Sequence, residues 1–322
     1  MNKTVAIKGM EVGSPEWREL RKTHLGASEI GSVLGVNPWA SPVDVWLEKM
    51  GRQEPFAGNN ATKWGVLLED LVAQEYGKMV GKRVRRYGYT LVNGVFMGDL
   101  DRLVHDEGTL PAVKDDIRTN RAMDAKTARD KSLWSDGLPA HYEAQGFLYM
   151  FLAPALDLVD FATLFMAERE MEVYPLVRDD ETITAMVEQA QAWWDRHIVG
   201  HTAPDPISEA DCKALWGRHR PDSFVVATEE VVSDLALLNS MCIAEKEFSK
   251  SKEDVRMRIM AAMQDAEALK SPDGKVVATW KSNKDTAKVD WEAVAKALNA
   301  PADLVEMFTV VKPGARVFRI KE

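Results

Sequence analysis

The sequence predicts a mixed α/β domain, a central mixed sheet flanked by helices, with a mainly helical C-terminal extension. Three observations predict it. Segments of helical period stand on both sides of a group of alternating strands. A short stretch holding Pro204 and Pro206 then interrupts the pattern at 201–208. Beyond it, residues 229–269 form one long charge-rich run with Leu235, Leu238, Phe248, Val255 and Ile259 at roughly helical spacing. The expected organisation is a domain over 1–200, a linker over 201–208, and a helical arm with a small hairpin over 209–322.

Each element has a local reason. Ser14-Pro15 starts a helix as N-cap and first-turn proline, with Trp17, Leu20 and Leu25 as its buried stripe. Gly26-Ala27-Ser28 restarts a short helix to Leu34, and Ser41-Pro42 opens another that Gly51 closes. A helix over 62–79 carries Val66, Leu71 and Val72 on its apolar side, and Gly81 ends it. Alternation then predicts strands over 84–92, 95–104 and 121–127, with a polar surface loop around Gly108 and Pro111. Pro139 starts a helix to Leu152. The runs 156–166 and 171–177 pair as a hairpin, and a helix bearing Trp193-Trp194 ends before Gly200. After the long helix come a hairpin turning at Ser271-Pro272-Asp273-Gly274, a short helix around Trp291 and a last strand over 316–320.

Bulk composition narrows the function. A net charge of -9 argues against a chain that coats nucleic acid over its whole surface, while leaving room for one basic channel. The run Lys82-Arg83-Val84-Arg85-Arg86 reads equally as a DNA contact or as an edge strand kept soluble by charge. The two cysteines, Cys212 and Cys242, have no metal-ligand spacing, so neither a zinc site nor a disulfide framework is expected. With no signal-like or membrane-length apolar run, the chain is expected to be a soluble cytoplasmic protein, away from membranes.

The chemistry gathers on two expected strands. Asp124 and Lys126, at i and i+2, leave the same strand face, and a neighbouring strand brings Asp101 beside them. Two carboxylates and an ammonium on one face suit a divalent metal and a reacting water, the layout of a metal-dependent phosphodiester nuclease. Asp99, on the same expected strand, competes with Asp101 for that place. Taken singly, Glu69 reads as a solvated helix glutamate and Gln145 as a helix-face amide. Ser271-Pro272-Asp273-Gly274 imitates the proline-aspartate element of such nucleases, but no D-x-K strand follows it and the turn reading prevails.

From Trp17 to His197 the chain resembles the lambda-exonuclease-like, YqaJ-type phage recombination nucleases of the PD-(D/E)xK superfamily. The resemblance lies in Trp17-Arg18-Glu19-Leu20-Arg21, Gly26-Ala27-Ser28-Glu29-Ile30, Trp64-Gly65 through Glu69, Asp101, Asp124-Ala125-Lys126, and Tyr142 through Gln145. The tail from Val311 to Ile320 resembles those of phage members less specifically.

The resemblance implies a PD-(D/E)xK core and a 5′-to-3′ exonuclease acting on the ends of linear duplex DNA. It also implies a homotrimeric ring, Mg²⁺ (with Mn²⁺ as a substitute) and a phage single-strand annealing protein as partner. Asp101, Asp124 and the carbonyl of Ala125 would bind metal, with Glu69 at a second position. Lys126 and Gln145 would position the attacking water, Lys126 also deprotonating it if its pKa is lowered. Arg21 and Ser28 would grip the terminal phosphate, with Trp17 beside them on the DNA. Two departures stand out. Asp124 replaces the commoner glutamate, and Asp99 stands where some relatives have a small hydroxyl residue, so its charge would oppose a 5′-phosphate. The alternatives are an endonuclease of the same superfamily and a non-catalytic scaffold for DNA ends or the annealing protein.

Overall fold

The computed structural model describes residues 3–10, 13–53, 58–285, 287 and 289–310. The expected last strand over 316–320 lies outside the described residues. Two compact units emerge, Met1–Leu215 and Trp216–Glu322.

In the first unit, β1 (Val5–Lys8) precedes α1 (Pro15–Lys22), whose first turn is capped by Ser14 Oγ accepting from the Trp17 N–H. β2 (Leu25–Gly26) leads through a 3₁₀ turn into α2 (Ile30–Val33) and α3 (Pro42–Lys49). Ser41 and Asp44 cap α3 reciprocally. α4 (Asn60–Val80) ends at Gly81, which takes the left-handed conformation at φ 65°. Then follow β3 (Arg83–Arg85), β4 (Tyr89–Asn93), β5 (Phe96–Asp99), β6 (Arg102–His105), β7 (Ala112–Val113), β8 (Asp116–Ile117) and β9 (Arg121–Ala128). The unit closes with α5 (Ala140–Leu152), β10 (Leu158–Phe165), β11 (Glu170–Val177), α6 (Asp180–Trp194) and α7 (Glu209–Leu215).

Two sheets carry the unit. One has the order β1-β4-β5-β2 and the other β11-β10-β9-β6-β3, with β9 and β10 parallel and the remaining pairs of that sheet antiparallel. β9 therefore lies at the centre. Val72, Ala73 and Tyr76 of α4 pack with Met123, Val104 and Ala162 in one cluster. Ala144, Leu148 and Met150 of α5 join Phe161, Val159 and Ala122 in the other. The central sheet is thus covered by a helix on each face, as expected for a mixed α/β domain.

Several sequence expectations need correction. Residues 84–92 are two strands in different sheets, because Gly88 turns the chain at φ 71°. Residues 95–104 also divide, β5 in the first sheet and β6 in the second, with the bend at Leu100-Asp101. Asp99 and Asp101 consequently do not share a strand face. On α4, Val66 and Leu71 are 69% and 50% exposed; the buried row is Val72, Ala73 and Tyr76. No residue of α1 is fully buried; Leu25 is buried, but from β2. The basic run at 82–86 contributes an edge strand, β3, and Lys82, Arg83 and Arg86 pair with Asp106, Glu107 and Asp70.

The segment over 201–208 lies inside the first unit. Buried Asp211 holds it there, accepting from Ser41 Oγ at 2.6 Å and from the Ile207 and Ser208 N–H groups.

The second unit comprises α8 (Glu229–Met263), β12 (Ala268–Lys270), β13 (Val276–Thr279), α9 (Trp291–Ala297) and α10 (Ala302–Met307). β12 and β13 pair antiparallel around the Ser271–Gly274 turn, where the Gly274 N–H donates to Ser271 O at 2.9 Å. That proline-aspartate segment is a turn, as expected. No described helix is long and apolar enough to cross a membrane.

Candidate active site

The central position of β9 determines what its polar residues meet. Asp124 and Lys126 both point toward α5: Gln145 Nε2 donates to Asp124 Oδ2 at 3.2 Å, and Lys126 Nζ donates to Gln145 Oε1 at 3.2 Å. Lys126 Nζ also lies 2.6 Å from Asp124 Oδ1, an oxygen that accepts no well-aligned hydrogen bond. Asp124 is only 1% exposed, so its environment comes almost wholly from these neighbours. Tyr142, one turn before Gln145, sets its ring 4.7 Å from Lys126 Nζ.

Asp101 arrives from the adjacent strand. β6 runs antiparallel to β9 with Arg102 opposite Met123, which brings Asp101, just before β6, to the Asp124-Ala125 step of β9. Its Oδ2 accepts the Ala125 N–H at 2.9 Å. Burial, and then the charge of Asp124, push the Asp101 carboxyl up to about 8. Lys126 is pulled the other way by burial, but Asp124, Tyr142 and Asp101 outweigh it and its pKa is raised. In this arrangement the carboxylates around Lys126 therefore favour its ammonium form.

Tyr149 is a member that the sequence reasoning missed. Its hydroxyl donates to Asp124 Oδ2 at 3.1 Å and accepts from Gln145 Nε2 at 2.7 Å. The signal was present: Tyr149 follows Gln145 by four residues, the spacing that stacks side chains on one helix face.

Glu69 does not join the carboxylates directly. It lies on the sheet-facing row of α4, one turn before Val72 and Ala73, and Arg102 Nη1 donates to its Oε1 at 2.6 Å. The same arginine bonds the Asp101 carbonyl at 2.7 Å and also pairs with Asp70. Buried Arg102 thus spans from the candidate metal ligand Asp101 to Glu69.

Among the described residues no three His, Cys, Asp or Glu side chains converge as a metal cage. The donors present still suit a hard divalent ion. Mg²⁺ keeps several waters and needs only one or two protein carboxylates. Asp101 and Asp124 offer two against a single ammonium, and the raised Asp101 pKa marks a place that favours added positive charge.

The residues of the expected phosphate grip form a second cluster. Arg21 Nη2 lies 3.1 Å from Glu29 Oε1 and donates to Ser28 Oγ at 3.4 Å. Trp17 connects this cluster to Asp99. Its ring lies 5.0 Å from the Arg21 guanidinium, and its indole N–H donates to Asp99 Oδ2 at 2.9 Å. Asp99 Oδ1 accepts from Thr90 Oγ1 at 2.5 Å. Asp99 is therefore a bracket between α1 and the first sheet, with both oxygens engaged.

Residues 16–155 match the model of a family described as the YqaJ-like viral recombinase domain. The "Uncharacterized protein YqaJ" of Bacillus subtilis (strain 168) is 29% identical over 206 residues, 62% of this chain and 61% of that protein. The chain thus spans less than two thirds of that relative's length. Among solved structures, an alkaline exonuclease from Laribacter hongkongensis is similar at a TM-score of 0.45 and 16% identity, over 58% of this chain and 94% of that one. A phage-related exonuclease from Haemophilus somnus 129PT gives 0.42 and 16%, over 57% of this chain and 99% of that one.

Proposed function

We propose, from the match of residues 16–155 to the YqaJ-like viral recombinase model and from the site's geometry, that the chain is a Mg²⁺-dependent exonuclease. It digests one strand of linear duplex DNA from the 5′ end, leaving 3′ single-stranded tails for phage recombination by strand annealing. The observation that carries this reading is the meeting of Asp101, Asp124, Lys126 and Gln145 on one face of the central sheet.

In this reading Asp101, Asp124 and the Ala125 carbonyl would hold the metal, with Glu69 adjoining through Arg102. Bound there, the ion acidifies a water and offsets charge on the scissile phosphate. Lys126 presents its ammonium to that phosphate and, with Gln145, orients the water. Tyr149 holds the Asp124 carboxylate and the Gln145 amide in register. Arg21 grips the terminal 5′-phosphate through its forked guanidinium, and Ser28 adds a hydroxyl. Trp17 backs the guanidinium with its ring. The hydrogen bonds from Trp17 and Thr90 to Asp99 spread the charge that would otherwise oppose the phosphate.

An acidic chain that processes long DNA is helped by a ring with cations turned to its bore, so a homotrimer belongs to the proposal. So does an annealing protein that receives the new single strand, in the cytoplasm of the bacterial host. Polarity is the test. Duplex labelled on one 5′ or one 3′ terminus is digested in Mg²⁺, in Mn²⁺ and in EDTA. The 5′ label should be released first as mononucleotide, only with metal. Early release of the 3′ label would reverse the polarity, and cleavage in EDTA would remove the metal.

A further inference from the structure

Lys49 takes no part in the chemistry above, yet its side chain is 0% exposed and carries a charge. Its Nζ donates to both oxygens of Glu29, at 2.9 and 2.7 Å, and to the Arg21 carbonyl at 2.6 Å. Glu29, also buried, has Arg21 Nη2 3.1 Å from its Oε1 and accepts the Gly26 N–H at 2.7 Å. Of the two cations only Arg21 reaches the surface, with 22% of its side chain exposed.

The charge balance of this cluster decides whether it attracts an anion. Arg21 with Glu29 alone would be a neutral ion pair, and a phosphate approaching the guanidinium would meet the glutamate's opposing field. Buried Lys49 adds the second cation, so two positive groups contact the Glu29 carboxylate, with Glu48 and the hydrogen-bonded Asp99 as the other acids of the surroundings. Because Lys49 also occupies both Glu29 oxygens, the carboxylate is shared and the Arg21 fork is not consumed by a bidentate pairing.

We propose that Lys49 is a positioning residue that, by neutralising Glu29, keeps Arg21 available to a terminal 5′-phosphate and so sets the preference for phosphorylated ends. The inference rests on the phosphate role of Arg21 in the proposed function. Lys49 itself never touches DNA. Its bond to the Arg21 carbonyl also pins the last turn of α1, which a purely structural lysine would do equally well.

The test measures equilibrium binding of a fluorescent duplex bearing 5′-phosphate or 5′-hydroxyl, in EDTA so that no cleavage occurs. Full-length wild type, Arg21→Ala, Lys49→Met and Lys49→Met/Glu29→Gln are compared. Wild type should favour the phosphorylated end, and Lys49→Met should reduce that preference about as much as Arg21→Ala, on the order of tenfold. The double variant again leaves one uncompensated cation and should regain most of the preference, although its buried packing is altered twice. A structural role predicts no such recovery. If Lys49→Met does not fold, the double variant alone decides: retained preference supports the charge account, and loss overturns it. An undiminished preference in Lys49→Met also overturns it, while Arg21→Ala distinguishes the underlying reading. If Arg21→Ala leaves the preference intact, the phosphate grip lies elsewhere and the proposed role of Arg21 is what fails.

Discussion

At Asp101 the chain keeps a carboxylate where burial and the neighbouring Asp124 both oppose its charge. For an acid whose folded pKa is raised, the sign is that stability is present at low pH and is lost as pH rises toward about 8. Replacing Asp101 with asparagine supplies a neutral group of the same shape. In EDTA, Asp101→Asn is expected to melt a few degrees above wild type, on the order of 1 kcal/mol. Mg²⁺ should then raise the melting temperature of wild type but not of the variant, since binding stabilises only the state that holds the ion. A metal-induced rise of equal size in both would remove Asp101 from the ligand set. Cleavage by Asp101→Asn should fall by roughly a thousandfold or more. Tyr149→Phe, which loses one hydroxyl contact to Asp124 and one to Gln145, should cost about tenfold in cleavage rate. Unchanged turnover would make Tyr149 packing alone. The D-x-K alternation was legible in the sequence because strand geometry alone puts both side chains on one face. Glu69 was less so, since its pairing with Arg102 depends on two distant elements meeting.

Between elements, the approach of α2 to α5 fixes where the Gln145 helix begins. A Cβ on Gly31 would lie 2.7 Å from His141 Cβ and 2.9 Å from its Cα, so the two helices touch through a glycine. His141 is itself buried, with Nε2 unpartnered and the Trp39 ring edge-on at 4.9 Å. Burial, followed by the charge of Lys126, pushes its pKa down to about 4 from an ordinary 6.5. The unfolded chain thus binds this proton more readily than the fold does, and stability is lost as pH falls from about 6.5 toward 4. Thermal melts across that window should show a falling midpoint, with a shallower fall in His141→Gln. An identical slope in the variant would assign the acid sensitivity to other groups. Element types were readable from caps and periodicity: Ser14, Ser41 and Gly81 mark real helix ends. The strand breaks after Arg85 and Asp99 were not, because alternation continues through both. Only the placement of the halves in different sheets reveals the bends.

Over the whole molecule, the boundary between compact units follows a hydrogen bond that proline content does not announce. Asp211 reaches Ser41 across 170 positions of sequence, and so 201–215 stays with the first unit. The second unit leaves Phe224, Val225 and Phe308 at 79% exposure or more, a surface consistent with contacts to other chains. Removing residues 216–322 is therefore expected to lower the mass of any oligomer seen by sedimentation; an unchanged subunit number would place the contacts within 1–215. The long helix was legible from its spacing, whereas any surface for other chains has no signature in one sequence.

The most direct measurement incubates the protein with a linear 5′-phosphorylated duplex and with the same DNA as a closed circle, in Mg²⁺ and in EDTA, beside Asp124→Asn. Wild type should consume the linear DNA alone and only with Mg²⁺, and Asp124→Asn should consume neither DNA. Cutting of the circle would point to an endonuclease, and equal digestion by Asp124→Asn would contradict the site itself.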